Sequence, residues 1–384
     1  MAKLYETQEK QKKALLVSIL GGEKSDESRC RELVGLCQTL ELEVVDHVKA
    51  RVREKSSKFG VGSGKAEEIS QKAADLGVDL IVFDWNSQKT TQNSRSQDYL
   101  SPSQQRNWEE LSGIPVLDRQ ELIIRIFADR ASTREAELQV KLAELSYFLP
   151  RLTHKYIDLS RQRGGRYGTK GSGETKFETD RRKIEKRITL LEKEIEQIRK
   201  QRQNQRRQRE RNNVPVCAIV GYTNAGKSSL LNTLTGADVQ AEDKLFVTLD
   251  AVTRRFQPSP DVTVLLTDTV GFIRDLPHTL IKAFRSTLEE AAQANIILHI
   301  LDASEPDIES CNETSLSVLR ELGAQEIPVI TILNKIDKID DKRTIDNSEN
   351  SIEELLNRFP GSIAVSAKNG TGLDKLKERI IKMV

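Results

Sequence analysis

An apolar run followed by a glycine-rich loop limits the possible folds of this chain more than any other feature. Val216–Val220 is strand-like and leads into Gly221–Ser228, which fits the pattern G-x-x-x-x-G-K-[ST]. Ser228–Leu234 then has helical spacing. Strand, glycine loop and helix together predict a phosphate-binding loop, with a chance turn as the alternative. Backbone N–H groups would hold phosphates, Lys227 would reach the outer phosphates and Ser228 would bind Mg²⁺.

Two further motifs predict the metal and γ-phosphate contacts. Leu245–Asp250, called the switch segment below, contains Thr248 as a candidate Mg²⁺ ligand. A predicted strand, Thr263–Leu266, is followed by Asp268-Thr-Val-Gly271. Asp268 would bind Mg²⁺ directly or through water, and the Gly271 N–H would contact a γ-phosphate.

The last two motifs favour guanine as the bound base. Asn334-Lys335-Ile336-Asp337 follows the predicted strand Val329–Leu333, and Ser366-Ala367-Lys368 follows Ser362–Val365. The Asp337 carboxylate can accept hydrogen bonds from guanine N1–H and N2–H₂, a donor pair that adenine lacks. The backbone of the second motif can contact guanine O6. Five motifs in this order predict a GTP-binding domain and disfavour a Walker-type ATPase.

The predicted site draws on all five motifs. Its candidate catalytic residues are Lys227, Thr248 and Gly271, and its candidate Mg²⁺ ligands are Ser228, Thr248 and Asp268. The predicted nucleotide-binding residues are Gly221, Tyr222, Thr223, Asn224, Ala225, Gly226, Lys227, Ser228, Ser229, Phe246, Val247, Thr248, Leu249, Asp250, Asp268, Thr269, Val270, Gly271, Asn334, Lys335, Ile336, Asp337, Ser366, Ala367 and Lys368.

Residues 14–117 alternate strand-like and helix-like patterns, which is typical of a small parallel α/β domain. The predicted strands are Ala14–Leu20, Leu42–Val45, Leu80–Phe83 and Pro115–Leu117, and the predicted helices are Glu27–Leu40, Lys65–Leu76 and a segment that begins at Ser101-Pro102. Gly60–Lys65 misses the full phosphate-loop pattern, so it predicts a tight turn into a helix, with a second nucleotide site as the alternative.

From Arg119 the pattern becomes helical. Two apolar stripes have heptad-like spacing, one at Leu138, Leu142, Leu145 and Leu149, the other at Ile184, Ile188, Leu191, Ile195 and Ile198. They predict an antiparallel, coiled-coil-like hairpin whose first helix ends at Pro150, with two separate core helices as the alternative. The predicted α/β architecture therefore has an N-terminal parallel α/β domain (1–118), a long-helix hairpin (119–213) and a C-terminal P-loop domain (214–384).

Charge is distributed unevenly along the chain. The whole chain has a formal net charge of +2, with 60 Lys and Arg against 58 Asp and Glu. Residues 151–214 hold 20 Lys and Arg against 9 Asp and Glu, a net charge of +11, which leaves −9 on the remainder. Such a segment is a candidate polyanion contact, because cations that neutralise phosphates release counterions. A solvated helix surface is the alternative.

A glycine-rich loop near 161–174 lies within this basic segment. Five glycines fall within ten residues, among basic side chains and one tyrosine. Glycine lets the backbone approach a partner closely, and basic and aromatic side chains suit RNA phosphates and bases. The candidate RNA-binding residues are Arg161, Arg163, Gly164, Gly165, Arg166, Tyr167 and Lys170.

The sequence disfavours membrane and disulfide-rich classes. No run approaches the roughly 18 apolar residues of a membrane span, and the first ten residues lack the apolar core of a signal peptide. We therefore expect a cytoplasmic location without integral membrane association. Cys30, Cys37, Cys217 and Cys311 form no Cys-x-x-Cys pair. We expect buried, apolar-like thiols rather than zinc ligands or disulfides.

These motifs carry a family resemblance. The last 171 residues resemble a translation-factor-class GTPase of the Era/Obg kind, and the chain from about residue 14 to its end is similar to the HflX family of ribosome-associated GTPases. Besides Thr248-Leu-Asp250, the segments that resemble HflX motifs are Gly60–Lys65, Leu117–Arg119, Arg134–Gln139, Leu149–Leu152, Gly171–Thr175 and Asp180–Arg182.

The resemblance implies a cytosolic enzyme that binds GTP and GDP, associates with the large ribosomal subunit (50S) and helps to dissociate stalled or idle ribosomes. It implies that the hairpin loop points at rRNA of the peptidyl-transferase region. The sequence departs from the family pattern at Arg166-Tyr167, Ser172 and Ala251, and Asn86–Asp98 looks like an insertion. The alternative function is a GTP-regulated coiled-coil adaptor that acts through protein partners without RNA.

Hydrolysis is expected to be slow in the isolated chain. Phe272 follows Gly271 where Ras-like switches place a water-orienting Gln, and a phenyl ring cannot orient water by hydrogen bonding. Two sources of the missing stabilisation are predicted. One is a K⁺ ion near Asn224, which resembles the Asn of potassium-activated GTPases, and the other is the ribosome.

Overall fold

The computed structural model describes residues 11–21, 26–52, 56–85, 100–162, 172–211, 214–237, 244–274, 290–339 and 351–384. Only the backbone is described at 153–162, 172–177 and 203–211. The chain divides into two compact units. One comprises 1–126 and 150–174, and the other comprises 127–149 and 175–384. The predicted domain boundaries at 118/119 and 213/214 stay predictions.

The first unit is built on a four-stranded parallel sheet in the order β2-β1-β3-β4. Its strands and helices alternate along the chain, as parallel strands require a crossover. They are β1 (Lys13–Leu20), α1 (Asp26–Thr39), β2 (Glu43–Arg51), α2 (Ser63–Leu76), β3 (Leu80–Trp85), α3 (Pro102–Ser112) and β4 (Val116–Asp118). The predicted small parallel α/β domain is therefore confirmed.

Aromatic side chains fill the core of this unit. Trp108 is fully buried, packs against Phe83 with ring centroids 4.6 Å apart and planes at 46°, and donates from its indole N–H to the Phe59 carbonyl at 2.9 Å. Gly60 has φ +74°, and a Cβ there would lie 1.6 Å from the Trp85 ring. The glycine that opens the Gly60–Lys65 segment thus has a packing role at the turn before α2.

The segment Leu117-Asp-Arg119 takes part in a buried ion-pair cluster at the carboxyl ends of β3 and β4. Asp84, 1% exposed, accepts from Arg29 at 2.8 and 2.9 Å and pairs with Arg119, which also pairs with Glu32. Burial alone would raise the pKa of Asp84, but Arg29 and Arg119 outweigh it and hold this pKa below its usual range. The cluster ties α1 and α4 (Arg119–Arg130) to the sheet.

Two long helices follow, α5 (Arg134–Gln162, 29 residues) and α6 (Ser172–Arg211, 40 residues). The prediction that Pro150 ends the first helix was wrong, because α5 continues twelve residues beyond it. Proline removes one N–H donor, to the carbonyl four residues before it, and the remaining turns keep their bonds. In the described part of α6, Leu191 is fully buried and the other members of its stripe are half-buried.

The second unit contains a six-stranded sheet in the order β10-β9-β8-β5-β7-β6. Only the β6–β7 pair is antiparallel. Its elements are β5 (Val216–Gly221), α7 (Lys227–Thr235), β6 (Val252–Ser259), β7 (Val262–Asp268), β8 (Ile296–Asp302), α8 (Ile308–Glu321), β9 (Val329–Asn334), α9 (Ile352–Arg358), β10 (Ile363–Ala364) and α10 (Leu373–Met383). The carboxyl ends of the parallel strands meet at one edge, where ligands of such sheets bind.

The cysteines are buried, as expected. All four cysteines are free and buried, and burial raises the pKa of the Cys37 and Cys217 thiols to about 12. No helix among the described residues combines the length and apolar character needed to cross a bilayer. Asn86–Asp98, the predicted insertion, lies outside the described residues.

Candidate nucleotide-binding site

The glycine loop between β5 and α7 depends on two residues without side chains. Gly226 has φ +91°, and a Cβ there would lie 2.3 Å from Nδ2 of Asn334. Gly221 has φ +152°, and its Cβ would lie 2.2 Å from the Ile300 carbonyl oxygen. Both positions therefore exclude side chains by contact as well as by conformation.

Asn334 links this loop to the two motifs that are predicted to recognise the base. Its Nδ2 donates to the Ala225 carbonyl at 2.9 Å, and its Oδ1 accepts from the Ala367 N–H at 3.0 Å. The side chain is 1% exposed, so both of its polar atoms are paired inside the protein. The first, fourth and fifth predicted motifs thus converge on one amide group.

Lys227 is the first residue of α7, at the end of the glycine loop, and is 6% exposed. Its Nζ donates to the Tyr222 carbonyl at 2.8 Å. Burial lowers the pKa of Lys227 to about 8, against the opposing effect of Asp268 and with a further lowering by Lys335. A bound phosphate would favour the charged ammonium group, because an anion nearby stabilises the protonated form. The residue is therefore suited to a polyphosphate ligand.

Three oxygen-bearing side chains meet beside Lys227. The Ser228 hydroxyl donates to Oδ2 of Asp268 at 2.6 Å, the Thr248 hydroxyl donates to the same oxygen at 3.1 Å, and the two hydroxyl oxygens are 2.7 Å apart. Oδ1 of Asp268 is buried and has no hydrogen-bond partner among the described residues. Burial raises the pKa of Asp268 despite Lys227 and the two hydroxyls.

This cluster fits Mg²⁺. The ion prefers oxygen ligands, and a buried carboxylate oxygen without a partner is the group that a divalent cation would satisfy. A cation would also favour the ionised form of Asp268. Ser228, Thr248 and Asp268 are the three residues that would hold the ion.

Short contacts order the two motifs that are predicted to recognise the base. The Ser366 hydroxyl donates to Oδ1 of Asp337 at 2.5 Å and accepts from the Asn369 N–H at 3.1 Å. Lys335 has φ +63° and pairs with Asp302 at 2.8 Å. Asp337 is exposed at the start of a short 3₁₀ turn, Ile336–Lys338. Its carboxylate is thus held by Ser366 while it faces solvent, which is compatible with the predicted contact to a base.

One cavity of about 600 Å³ joins these parts. Of the predicted residues, its walls include Thr223, Asn224, Gly226, Lys227, Ser228, Ser229, Phe246, Val247, Thr248, Gly271, Asn334, Lys335, Asp337, Ala367 and Lys368. The remaining predicted nucleotide residues are Gly221, Tyr222, Ala225, Leu249, Asp250, Asp268, Thr269, Val270, Ile336 and Ser366. They lie outside the walls, and Asp250 instead accepts bonds from Ser132 and Thr133.

The sequence predictions missed four wall residues. These are Asn232, Thr233, Lys244 and Lys338. Asn232 and Thr233 lie one helical turn beyond Ser228 and Ser229 on α7, so helical periodicity could have found them. Lys244 precedes the switch segment, where no pattern marks it. The candidate RNA-binding residues lie outside the described residues, except that the backbone of Arg161 belongs to the last turn of α5.

Known sequence families cover most of the chain. Residues 27–128 match the family described as GTP-binding GTPase N-terminal, and 130–209 match GTP-binding GTPase Middle Region. Residues 216–335 match 50S ribosome-binding GTPase. Together these matches extend over the glycine loop and the Asn334-Lys335 pair.

Individual relatives and one solved structure are also similar. GTPase HflX of Akkermansia muciniphila is 42% identical over 100% of this chain and 86% of its own length. GTPase HflX of Escherichia coli K12 is 37% identical over 94% of this chain and 80% of its own length. A crystal structure of the SsGBP–GDP complex aligns with a TM-score of 0.52 and 26% identity over 97% of this chain and 98% of that one. The chain therefore belongs to the HflX family of GTPases and is a GTP-hydrolysing enzyme.

Proposed function

We propose that the GTP-bound chain docks on the large ribosomal subunit through its basic hairpin, contacts rRNA there and dissociates stalled or idle ribosomes. GTP hydrolysis then releases it. The observation that carries this proposal is the net charge of +11 over 151–214. The match of 216–335 to the family described as 50S ribosome-binding GTPase also supports it.

The described part of α6 supports a polyanion contact. Lys186, Arg187, Lys193 and Lys200 are exposed on it. Other cations on the helix, such as Arg181 with Glu185 and Arg199 with Glu196, pair with carboxylates on the same helix. Exposed pairs of this kind contribute little to stability, so a polyanion can replace the carboxylate at low cost. The helix surface is thus suited to phosphates.

Cosedimentation with purified large subunits tests this proposal. We expect the chain to pellet with subunits in a non-hydrolysable GTP analogue but weakly in GDP, and to lose affinity between about 50 and 200 mM salt. The variant K186E/R187E should bind at least about tenfold more weakly, with a shallower salt dependence, because phosphate contacts are lost.

The matched control is K375E/R379E on α10, which makes the same change of charge at two exposed positions. It should bind subunits like the unsubstituted chain. Equal losses in the two variants would indicate a non-specific charge effect. Binding that is absent, or insensitive to salt, would contradict the proposal and favour the protein-adaptor function.

In this proposal, the chain's own groups have the following roles, which the geometry of the site supports. Backbone N–H groups of the glycine loop and the start of α7 bind phosphates, and Lys227 holds positive charge at the outer ones. Mg²⁺, when bound, neutralises phosphate charge. Ser228, Thr248 and Asp268 would hold that ion. Asp337 and the backbone after Ser366 orient guanine.

Among the described residues, the position that follows Gly271 holds no side chain that could orient the attacking water. Phe272 is fully buried, its N–H donates to the Gly221 carbonyl at 3.0 Å and its carbonyl accepts from the Thr223 N–H at 2.7 Å. It packs in the core and cannot orient water. We therefore infer slow intrinsic turnover that the ribosome stimulates.

Steady-state GTP turnover checks this inference. Large subunits should accelerate it by at least about tenfold, because docking supplies stabilisation that pre-organised groups provide in other GTPases. The second measurement replaces Na⁺ with K⁺, which should also raise turnover if a K⁺ ion near Asn224 supplies the missing stabilisation. Asn224 Oδ1 accepts from Lys335 Nζ at 3.4 Å, so an ion there competes with that ammonium group. If neither addition changes turnover, the inference is wrong.

A further inference from the structure

The switch segment is held from both sides of Thr248 by residues outside the predicted nucleotide motifs. On one side, the Phe246 ring packs edge-on against Phe127 of α4, with centroids 4.6 Å apart and planes at 90°. Phe246 has φ +56°, a conformation that costs energy in a non-glycine residue and needs surrounding contacts to persist. The two rings are 3% and 1% exposed, so the contact is dry.

On the other side, Asp250 is bound at the start of α5. Its Oδ2 accepts from the Ser132 hydroxyl at 2.9 Å, and its Oδ1 accepts from the Thr133 hydroxyl at 2.5 Å. Thr133 Oγ1 also accepts from the Ala136 N–H at 3.2 Å, so it caps the helix. A carboxylate at a helix N-terminus is favoured by the helix dipole as well as by these hydroxyls.

The start of α5 is itself anchored within the same compact unit. Arg202 of α6 bonds Glu135 at 2.8 Å and lies 3.8 Å from Glu290, which precedes β8. Residues 127–149 and 175–384 form that unit. The hydroxyls of Ser132 and Thr133 therefore present a fixed surface to Asp250.

We propose that Ser132 and Thr133 are positioning residues for the GTP-bound state: by holding Asp250, two residues after Thr248, they keep the Thr248 hydroxyl at the metal site. This rests on the proposed role of Thr248 as a Mg²⁺ ligand. Switch segments of GTPases are ordered by the γ-phosphate and its Mg²⁺ and are released after hydrolysis. A group that holds the ordered segment therefore favours GTP over GDP and leaves GDP affinity unchanged.

Asp250 has a different role here from the nucleotide contact that the sequence predicted. The sequence placed it among nucleotide-binding residues, whereas its carboxylate points to hydroxyls more than a hundred positions earlier in the chain. Thermodynamic coupling is reciprocal: if the contact with the start of α5 strengthens GTP binding, GTP binding must strengthen that contact by the same free energy. The start of α5 thereby responds to the nucleotide state.

Equilibrium binding of a non-hydrolysable GTP analogue and of GDP, both with Mg²⁺, tests the proposal in the full chain. D250A and S132A/T133A should each weaken binding of the GTP analogue by about 3- to 10-fold, the range expected for exposed hydrogen bonds to a carboxylate. Each variant should bind GDP with an affinity within about twofold of that of the unsubstituted chain. The conservative variant T133S, which keeps the hydroxyl, should retain binding of both nucleotides.

Combining the substitutions separates positioning from helix capping. If the three side chains act through one contact, D250A/S132A/T133A should bind the analogue no more weakly than D250A alone. Additive losses, or equal losses for the analogue and GDP, would overturn the proposal and show that Thr133 serves only as a cap. T248A is the reference variant. If it still prefers the GTP analogue over GDP as strongly as the unsubstituted chain does, Thr248 is not the Mg²⁺ ligand on which the proposal rests.

Discussion

Asp337→Asn should change which base the chain binds, with the largest effect that we expect from any conservative substitution here. The Ser366 hydroxyl donates to Oδ1 of Asp337 and is held as a donor because its oxygen accepts from the Asn369 N–H. Oδ1 must therefore remain an oxygen, and the new NH₂ group would take the place of Oδ2. It would then face the guanine N1–H and N2–H₂ donors, so GTP affinity should fall by roughly 100-fold or more.

The same geometry predicts that D337N gains affinity for xanthine nucleotides. Xanthine has a carbonyl at C2, which can accept from the introduced NH₂ group. We expect xanthosine triphosphate to compete for the site in D337N better than GTP does, and ATP to bind weakly in both forms. Competition against a fluorescent nucleotide measures all three. Asp374→Asn, the same change at an exposed residue of α10, is the control and should alter none of them. GTP affinity within threefold of the unsubstituted chain would contradict the assignment of Asp337.

The site was predictable where its chemistry is local in sequence. Gly221–Ser228 and Asn334–Asp337 each follow a buried strand of a parallel sheet, so their side chains meet at one edge once the strands pair. The strand order could not be read from the sequence, and it decides which of these carboxyl ends lie close together, since only β8 separates β9 from β5. Every parallel strand ends at the same edge in any order.

Two kinds of feature could not be predicted. Pro150 costs a helix about 3 kcal/mol in isolation, yet α5 passes through it, because the turns on both sides keep their own bonds. Strand β2 extends to Arg51 rather than Val45, because its polar second half pairs in register with β1 as far as Leu20. Pairing partners, and the long-range contacts of Asp250, leave no periodic mark in the sequence.

Gly226→Ala should weaken GTP binding strongly although it adds a single methyl group. The added Cβ would lie 2.3 Å from Asn334 Nδ2, well inside contact distance. Asn334 cannot turn aside cheaply, since its amide is bonded at both ends and 1% exposed. Either the loop shifts away from the phosphates or Asn334 loses two buried hydrogen bonds, at about 1–3 kcal/mol for each group left unsatisfied. We expect GTP and GDP affinity to fall by at least about 100-fold, a change of roughly 3 kcal/mol or more.

Gly236→Ala separates this contact from the general cost of a side chain at positive φ. Gly236 ends α7 as Gly226 begins it, has φ +67° and has no atom within 4 Å of an added Cβ. It should cost about 1 kcal/mol of stability and leave nucleotide affinity unchanged. Isothermal titration with GDP and thermal unfolding of both variants give the comparison. If G226A and G236A lose nucleotide affinity equally, the loss comes from backbone strain at positive φ and not from the contact with Asn334. A loss confined to G226A would indicate that the contact with Asn334 controls the affinity, because the same amide bonds Ala225 in the phosphate loop and Ala367 in the fifth motif.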